Sequence, residues 1–319
     1  MRVLITGGGG FVGSSLAKQF LNEGHEVFII DNFSTGRSTN LEGISNAYIF
    51  NCDLSDPKNI PTVEQILSYV DIVYHFAASI GVKLVQEKPK ETFLNSTKIN
   101  DILFPLFEKY QVKVVFSSTS EVYGETKNPD GSKETDHLEI HPVQKPRGSY
   151  ACSKLFSEFM IRSYTFPSII VRFFNIVGPD QVPDYGHVLP RFIERAMRNE
   201  ALPVYGDGEQ IRSFCDIRDA VEMLMLMVGT THNGEIYNIG NDATVHTMNE
   251  LAETVIRVLD SESKIMHIPL VKALGEQFEE IYVRYPNTNK IKQYYECKYN
   301  LEDIIRNIYE TNFNCSSTS

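Results

Sequence analysis

The stretch Val3-Leu4-Ile5-Thr6-Gly7-Gly8-Gly9-Gly10-Phe11-Val12-Gly13-Ser14-Ser15-Leu16-Ala17 constrains this chain most: a short apolar strand passes through a glycine turn directly into a helix. Gly7, Gly10 and Gly13 form G-x-x-G-x-x-G. The first suits a tight turn, the second a close approach of backbone to a pyrophosphate, and the third close packing of helix on strand. The helix N-terminus then faces phosphate with its own N–H groups. Glycines also serve ordinary turns, so the weight lies in the context: a strand before, a helix after, and Asp31 closing the next strand, Val27-Phe28-Ile29-Ile30. Asp31 is placed to accept both ribose hydroxyls of an adenosine. Its charge repels a 2′-phosphate, which favours NAD over NADP even with Arg37 nearby.

The rest of the chain can support such a site. Its 319 residues, 42% hydrophobic and 22% charged, suffice for one large domain or two. The formal charge of -11 argues against nucleic acid or an anionic membrane as a general partner. The first strand begins at Arg2, and no apolar run is long enough to span a bilayer, so the expected location is cytoplasmic. Cysteines at 52, 152, 215, 297 and 315 are scattered without a Cys-x-x-Cys pair, which suits reduced thiols and offers no metal site.

Strand and helix patterns alternate along the chain. Ala47 to Asn51 reads as a third strand delivering Cys52-Asp53-Leu54, where Asp53 either contacts adenine or caps a helix starting near Pro57. Val70 to Phe76 reads as a fourth strand covered on both faces, ending in Ala77-Ala78-Ser79, small residues that let a cofactor lie close. A helix from Pro89 to about Tyr110 has Phe93, Ile99, Leu103, Leu106 and Phe107 along one side, as core or subunit contact. Val112 to Ser117 is a fifth strand running into Ser118-Thr119-Ser120-Glu121-Val122-Tyr123-Gly124. Glu125 to Arg147, polar and carrying Pro129, Gly131, Pro142 and Pro146, reads as a long loop over the site. Ser149-Tyr150-Ala151-Cys152-Ser153-Lys154 then opens a helix to about Tyr164, and Ser168 to Arg172 is another strand.

This rhythm implies an α/β fold: a Rossmann-type doubly wound parallel sheet, ligands at the carboxyl ends of its strands, and a smaller C-terminal α/β substrate domain. The expected division is 1–175, with 213–242 returning to it, and 176–212 with 243–319. A polar tail, Asn312 to Ser319, reads as disordered.

Tyr150 and Lys154 lie one helical turn apart, on one face. A tyrosine hydroxyl ionises near pH ~10, so a base near neutrality needs help, which a lysine ammonium and a positive nicotinamide ring supply. Tyr150 then takes a hydroxyl proton while hydride leaves the same carbon, Thr119 sharing the hydrogen bond and Lys154 also meeting the nicotinamide ribose. That is oxidation of a secondary alcohol.

With these motifs in place the chain resembles the extended short-chain dehydrogenase/reductases of the nucleotide-sugar epimerase/dehydratase family, from Arg2 to about Tyr309. Ser118-Thr119-Ser120-Glu121-Val122-Tyr123-Gly124, Lys145-Pro146-Arg147 and Cys215-Asp216-Ile217-Arg218-Asp219-Ala220 resemble the UDP-glucuronate decarboxylase branch in particular. The resemblance implies an enzyme-bound NAD that is reduced and reoxidised within one turnover, by way of a 4-keto sugar. It implies cofactor contacts from Gly7, Gly10, Phe11, Val12 and Gly13, from Asp31, Asn32 and Ser34, from Asp53 and Leu54, and from Ala77, Ala78, Ser117, Tyr150 and Lys154. For a nucleoside-diphosphate sugar it implies Ser118, Thr119 and Ser120 at the sugar, Asn175 at the phosphates, Val204 and Tyr205 along the base, and Arg212 with Arg284 clamping the diphosphate.

From the ketone three outcomes branch: 4-epimerisation, loss of water across C5 and C6, and loss of a C6 carboxylate as carbon dioxide. Glu121 favours the second and third, a carboxylate beside C5 that abstracts its proton or positions C6; a glutamate merely hydrogen-bonded in its loop is an equal reading. Gly186-His187-Val188 stands where the decarboxylase branch often has Arg. The resemblance also implies a homodimer through helices around Pro89 to Tyr110 and Tyr150 to Tyr164. Two readings of other classes are an NADP-exchanging reductase, which needs no arginine clamp, and a non-catalytic dinucleotide sensor, which needs no Tyr150.

Overall fold

The computed structural model describes residues 1–78, 89–140, 142–144, 148–181, 187–229, 233–275 and 280–313. Ser79, Lys145-Pro146-Arg147, Gly186, Cys315 and the tail from 314 lie outside the described residues. In order come β1 (Arg2–Thr6), α1 (Phe11–Asn22), β2 (Glu26–Asp31), β3 (Ala47–Asn51), α2 (Ile60–Leu67), β4 (Ile72–His75), α3 (Pro89–Tyr110), β5 (Lys113–Thr119), α4 (Gly148–Arg162) and β6 (Ser168–Phe173). There follow β7 (Ile176–Val177), α5 (Val188–Met197), β8 (Leu202–Tyr205), β9 (Ile211–Ser213), β10 (Cys215–Asp216), α6 (Ile217–Met225) and β11 (Ile236–Ile239). Last come β12 (Val245–Thr247), α7 (Met248–Val258), β13 (Ile265–Ile268), α8 (Leu270–Leu274), β14 (Val283–Arg284) and α9 (Leu301–Phe313).

Seven strands form one sheet in the order β11-β6-β5-β4-β1-β2-β3, and every neighbouring pair is parallel. The period of two along each strand divides the core. Val3, Ile5, Val27, Ile29 and Val115 face α1 and α6 through Leu16, Phe20, Met223 and Leu224. Leu4, Phe28, Val73, Val114 and Phe116 face the other way, onto α2, α3 and α4 through Val63, Leu103, Phe104, Phe107 and Ile161. Burial on both faces explains why these strands read as continuous apolar runs. A third cluster joins α5, β8, α7 and α9 through Phe192, Val204, Leu251 and Ile304.

Local chemistry moves several element ends from their expected places. Asp71 belongs to the turn before β4, where its carboxylate accepts the Arg2 backbone N–H at 2.8 Å and Arg2 Nη2 at 2.7 Å. β5 runs on to Thr119 because Ser118 and Thr119 pair with Arg172 and Phe173 of β6. Near Pro57 stands a 3-10 turn, Pro57–Asn59, capped by Asp56 on the Lys58 N–H, and α2 begins only after it. The strand order reverses between β1 and β4, so the crevice at their carboxyl ends is where such a sheet takes a ligand.

Phe104 is fully buried, with ring centroids of Phe116, Tyr164 and Phe166 at 5.9, 5.7 and 5.9 Å. Phe104→Ala is expected to cost about 3–5 kcal/mol in denaturant unfolding. A loss below about 1 kcal/mol would mean that the cluster closes over the hole.

Candidate active site

At the reversal the glycine turn is built by close contacts that only glycine allows. Gly7 has φ +72°, and a Cβ on Gly13 would stand 2.4 Å from the Gly7 carbonyl oxygen. Gly10 caps α1 with no side-chain hydrogen bond, so backbone N–H groups face the crevice. The Asp31 carboxylate accepts the Gly9 N–H at 2.8 Å and the Phe33 N–H at 2.7 Å, one bond to each oxygen. A second lone pair on each remains for a hydroxyl.

A cleft of about 460 Å³ opens here, lined by Gly7, Gly10, Asp31, Asn32, Ser34, Asp53, Leu54, Ala77 and Ala78 among others. Asn95 and Ile99 of α3 also line it, one helical turn apart; the sequence reading assigned Ile99 to core and passed over Asn95. Asp53 Oδ1 accepts the Ser55 N–H at 2.8 Å and its hydroxyl at 2.7 Å, a local turn, while the helical cap falls to Asp56. Glycine backbone, a ribose-competent carboxylate and small alanines fit a dinucleotide such as NAD.

Beside the cleft, β5 sorts three hydroxyls by alternation. Ser117 and Thr119 share one face; Ser118 takes the other. Lys154 Nζ donates to the Ser117 carbonyl at 2.8 Å and to Ser117 Oγ at 3.4 Å. Burial pulls the Lys154 ammonium down to about 8, opposed by the negative charge of Glu158. Thr119 is hydrogen-bonded to Tyr150, whose hydroxyl is raised above its ordinary value first by burial and then by Glu121, with Thr119 and Arg284 pulling the other way. In the resting site Tyr150 therefore keeps its proton.

Ser118 turns inward and donates to Glu158, away from the Thr119 side. Ser120 is buried in the 3-10 turn Ser120–Tyr123. Glu121, in the same turn, pairs with Arg284 Nη1 at 2.9 Å, and Arg284 Nη2 donates to Asn175 Oδ1 at 3.3 Å. Asn175 sits at φ 28° and ties Nδ2 to the Ser213 carbonyl at 2.9 Å. The structure thus gathers Thr119, Glu121, Tyr150, Asn175 and Arg284.

Arg212 is engaged elsewhere, with Glu280 at 2.6 Å and with the carbonyls of Ile281 and Tyr282 at 2.6 and 3.2 Å. Val204 is buried, and the Tyr205 hydroxyl accepts Arg191 Nη1 at 2.8 Å beneath a guanidinium 4.9 Å from its ring. Phe11 and Val12 pack against the core below α1.

The sequence reading missed Glu158 and Arg172, a buried pair, although Glu158 stands four residues after Lys154 and so on its face of α4. It missed His75 as well. There Thr6 Oγ1 meets Nδ1 at 2.7 Å, Nε2 donates to Asn100 Oδ1 at 2.9 Å, and Asn100 Nδ2 donates to Ser157 Oγ at 2.7 Å.

The profile of the NAD dependent epimerase/dehydratase family matches residues 3–240. A UDP-N-acetyl-alpha-D-glucosaminuronate decarboxylase of Bacillus cytotoxicus is 38% identical over 297 residues, covering 92% of this chain and 91% of that protein. UDP-glucuronic acid decarboxylase 1 of Arabidopsis thaliana is 32% identical over 92% of this chain, which spans only 65% of that longer protein. The crystal structure of a Thermotoga maritima UDP-glucose 4-epimerase with UDP-glucose superposes with a TM-score of 0.86 at 27% identity, over 99% of this chain and 100% of that one.

Burial draws the His75 imidazole down to about 4 from 6.5, so the folded chain holds it neutral. The unfolded chain takes up the proton first, and stability is lost as pH falls from about 6.5 toward 4, by roughly 3 kcal/mol. His75→Gln should flatten that part of the profile in urea unfolding at about pH 7 and about pH 4.5. An unchanged slope would place the acid sensitivity in other groups.

Proposed function

Because the chain belongs to the NAD dependent epimerase/dehydratase family, we propose that it decarboxylates a UDP-hexuronate, glucuronate or its N-acetylglucosamine counterpart, through a transient 4-keto sugar. The observation that carries this reading is the Glu121–Arg284 pair, 2.9 Å apart, beside the Tyr150–Thr119 hydrogen bond. The decarboxylases among its relatives support it. Gly7, Gly10, Gly13, Asp31 and Lys154 would hold NAD, which would supply a reversible acceptor for the C4 hydride.

Tyr150 and Thr119 hold the C4 hydroxyl between them, and Tyr150 takes its proton. Arg284 weakens the hold of Tyr150 on its own proton, against burial and Glu121. The C4 ketone makes the C6 carboxylate a β-keto acid. The C5–C6 bond then breaks, carbon dioxide leaves, and the electron pair moves onto the C4 oxygen, which the Tyr150 and Thr119 hydroxyls stabilise until C5 is protonated. Guanidinium groups match phosphate and carboxylate oxygens, so Arg284, and Arg212 on release from Glu280, would serve the substrate's anionic groups. Tyr205 lies along the base, Val204 supporting it from the core, and Asn175 meets the phosphates.

The assembly proposed is a homodimer, and the setting cytoplasmic. α3 and α4 pack together and expose Leu94 (50%), Phe156 (49%) and Phe159 (71%), apolar side chains that a partner copy would cover. Among the described residues no helix is long and apolar enough to cross a membrane.

Incubation with catalytic NAD and UDP-glucuronate or UDP-N-acetylglucosaminuronate should release carbon dioxide and give the shortened sugar by mass spectrometry. Tyr150→Phe should lower kcat by about 10²-fold or more. An unchanged mass with inverted C4 overturns decarboxylation and makes the chain a 4-epimerase. In light scattering, Phe159→Lys should shift a dimeric mass toward monomer; a wild-type monomer at micromolar concentration removes the dimer.

A further inference from the structure

Beneath the site lies a charged layer that the reaction chemistry leaves unassigned. Glu158 of α4 and Arg172 of β6 pair through two bonds, Nη2 to Oε2 at 2.6 Å and Nε to Oε1 at 3.0 Å, with side chains only 6% and 2% exposed. Each carries the pair outward. Glu158 accepts the Ser118 hydroxyl, and Arg172 Nη1 donates to the Tyr123 hydroxyl at 2.8 Å, its guanidinium 4.8 Å from that ring. The Tyr123 hydroxyl in turn donates to Asn238 Oδ1 at 2.8 Å. Asn238 Nδ2 donates to the carbonyls of Ser132 and Asn287 at 2.8 and 3.1 Å.

A buried ion pair is a poor source of stability, since apolar residues of similar volume commonly hold a fold as well or better. What it provides is direction. Arg offers five donors in one plane, and a carboxylate accepts two of them in one geometry. The points tied together here adjoin the reacting groups: Ser118 precedes Thr119, Tyr123 follows Glu121 by two residues, Asn287 follows Arg284 by three, and Glu158 is one turn beyond Lys154. Glu158 also favours the ammonium form of Lys154 against burial.

We propose that Glu158 and Arg172 are positioning residues of the reaction, fixing Tyr150 and Lys154 on α4 at the distance from Thr119 and Glu121 that proton and hydride transfer require. The inference rests on the roles given above to those four residues, and neither member of the pair lines the cleft. A displacement near 1 Å between reacting groups is worth roughly 10²-fold in rate.

The test compares wild type with Glu158→Met/Arg172→Met, which replaces the pair by apolar side chains, and with Glu158→Gln, which keeps the shape and removes the charge. The substrate is whichever nucleotide sugar the wild type turns over, so the reading of the reaction stands or falls on the wild type and the inference on the ratio. For the folded double variant, NAD affinity by calorimetry and KM should stay within about threefold, while kcat and the rate of bound NADH formation drop roughly 10²-fold. Wild-type kcat in the folded double variant overturns the proposal. Should the double variant not fold, Glu158→Gln decides: lowered kcat at unchanged KM supports it, and wild-type kcat overturns it.

Discussion

Adjacent residues of a β-strand point to opposite faces, and the carboxyl end of β5 turns that constraint into the arrangement of the candidate site. Ser118 is directed into the α4 side of the sheet, where Glu158 takes its hydroxyl; Ser117 and Thr119 take the opposite face, and at the strand end Lys154 reaches the Ser117 carbonyl and Tyr150 meets Thr119. Three consecutive residues thereby acquire three different partners: the Lys154 ammonium, the Tyr150 phenol and the Glu158 carboxylate. The parallel register with β4 and β6 carries the constraint sideways, since it holds β5 between the strand ending at His75 and the one carrying Arg172.

Around this edge the molecule keeps charges where water does not reach and manages each differently. His75 is held neutral by burial, with its two ring nitrogens engaged by Thr6 and Asn100. Arg172 is held ionised by a two-point contact with a carboxylate. Lys154 lies between these cases, its ammonium weakened by burial and supported by the nearby Glu158. Helix α4 thus passes between a neutral polar region and an ionised one, and carries Tyr150 and Lys154 beside both.

The parts of this arrangement that depend on local chain geometry were legible in the residues. G-x-x-G-x-x-G with Asp31 pointed to the cleft that these residues line, because glycine positions and strand ends are written in sequence. Tyr150 and Lys154 were legible because a helix puts i and i+4 together. Arg284 was given to the diphosphate, but its contact with Glu121, across 163 positions of chain, carries no local signature. Arg172 was read only as the last residue of an apolar strand, since the packing that gives it Glu158 and Tyr123 involves three separate elements. The extra strand residues Ser118 and Thr119 were lost for a related reason: a polar run looks like a loop until a neighbouring strand supplies its ladder.

Arg284 arrives on a segment that the first half of the chain has to hold in place. Glu125, directly after the turn that bears Glu121, accepts the backbone N–H groups of Tyr282 and Val283 at 2.9 and 2.6 Å, while the Thr126 N–H donates to the Val283 carbonyl at 2.8 Å. During synthesis the glycine crevice and the Tyr150 helix leave the ribosome long before this arm does, and folding proceeds from the N-terminus. The pairing of Glu121 with Arg284 is therefore among the last contacts around this crevice that the growing chain can make.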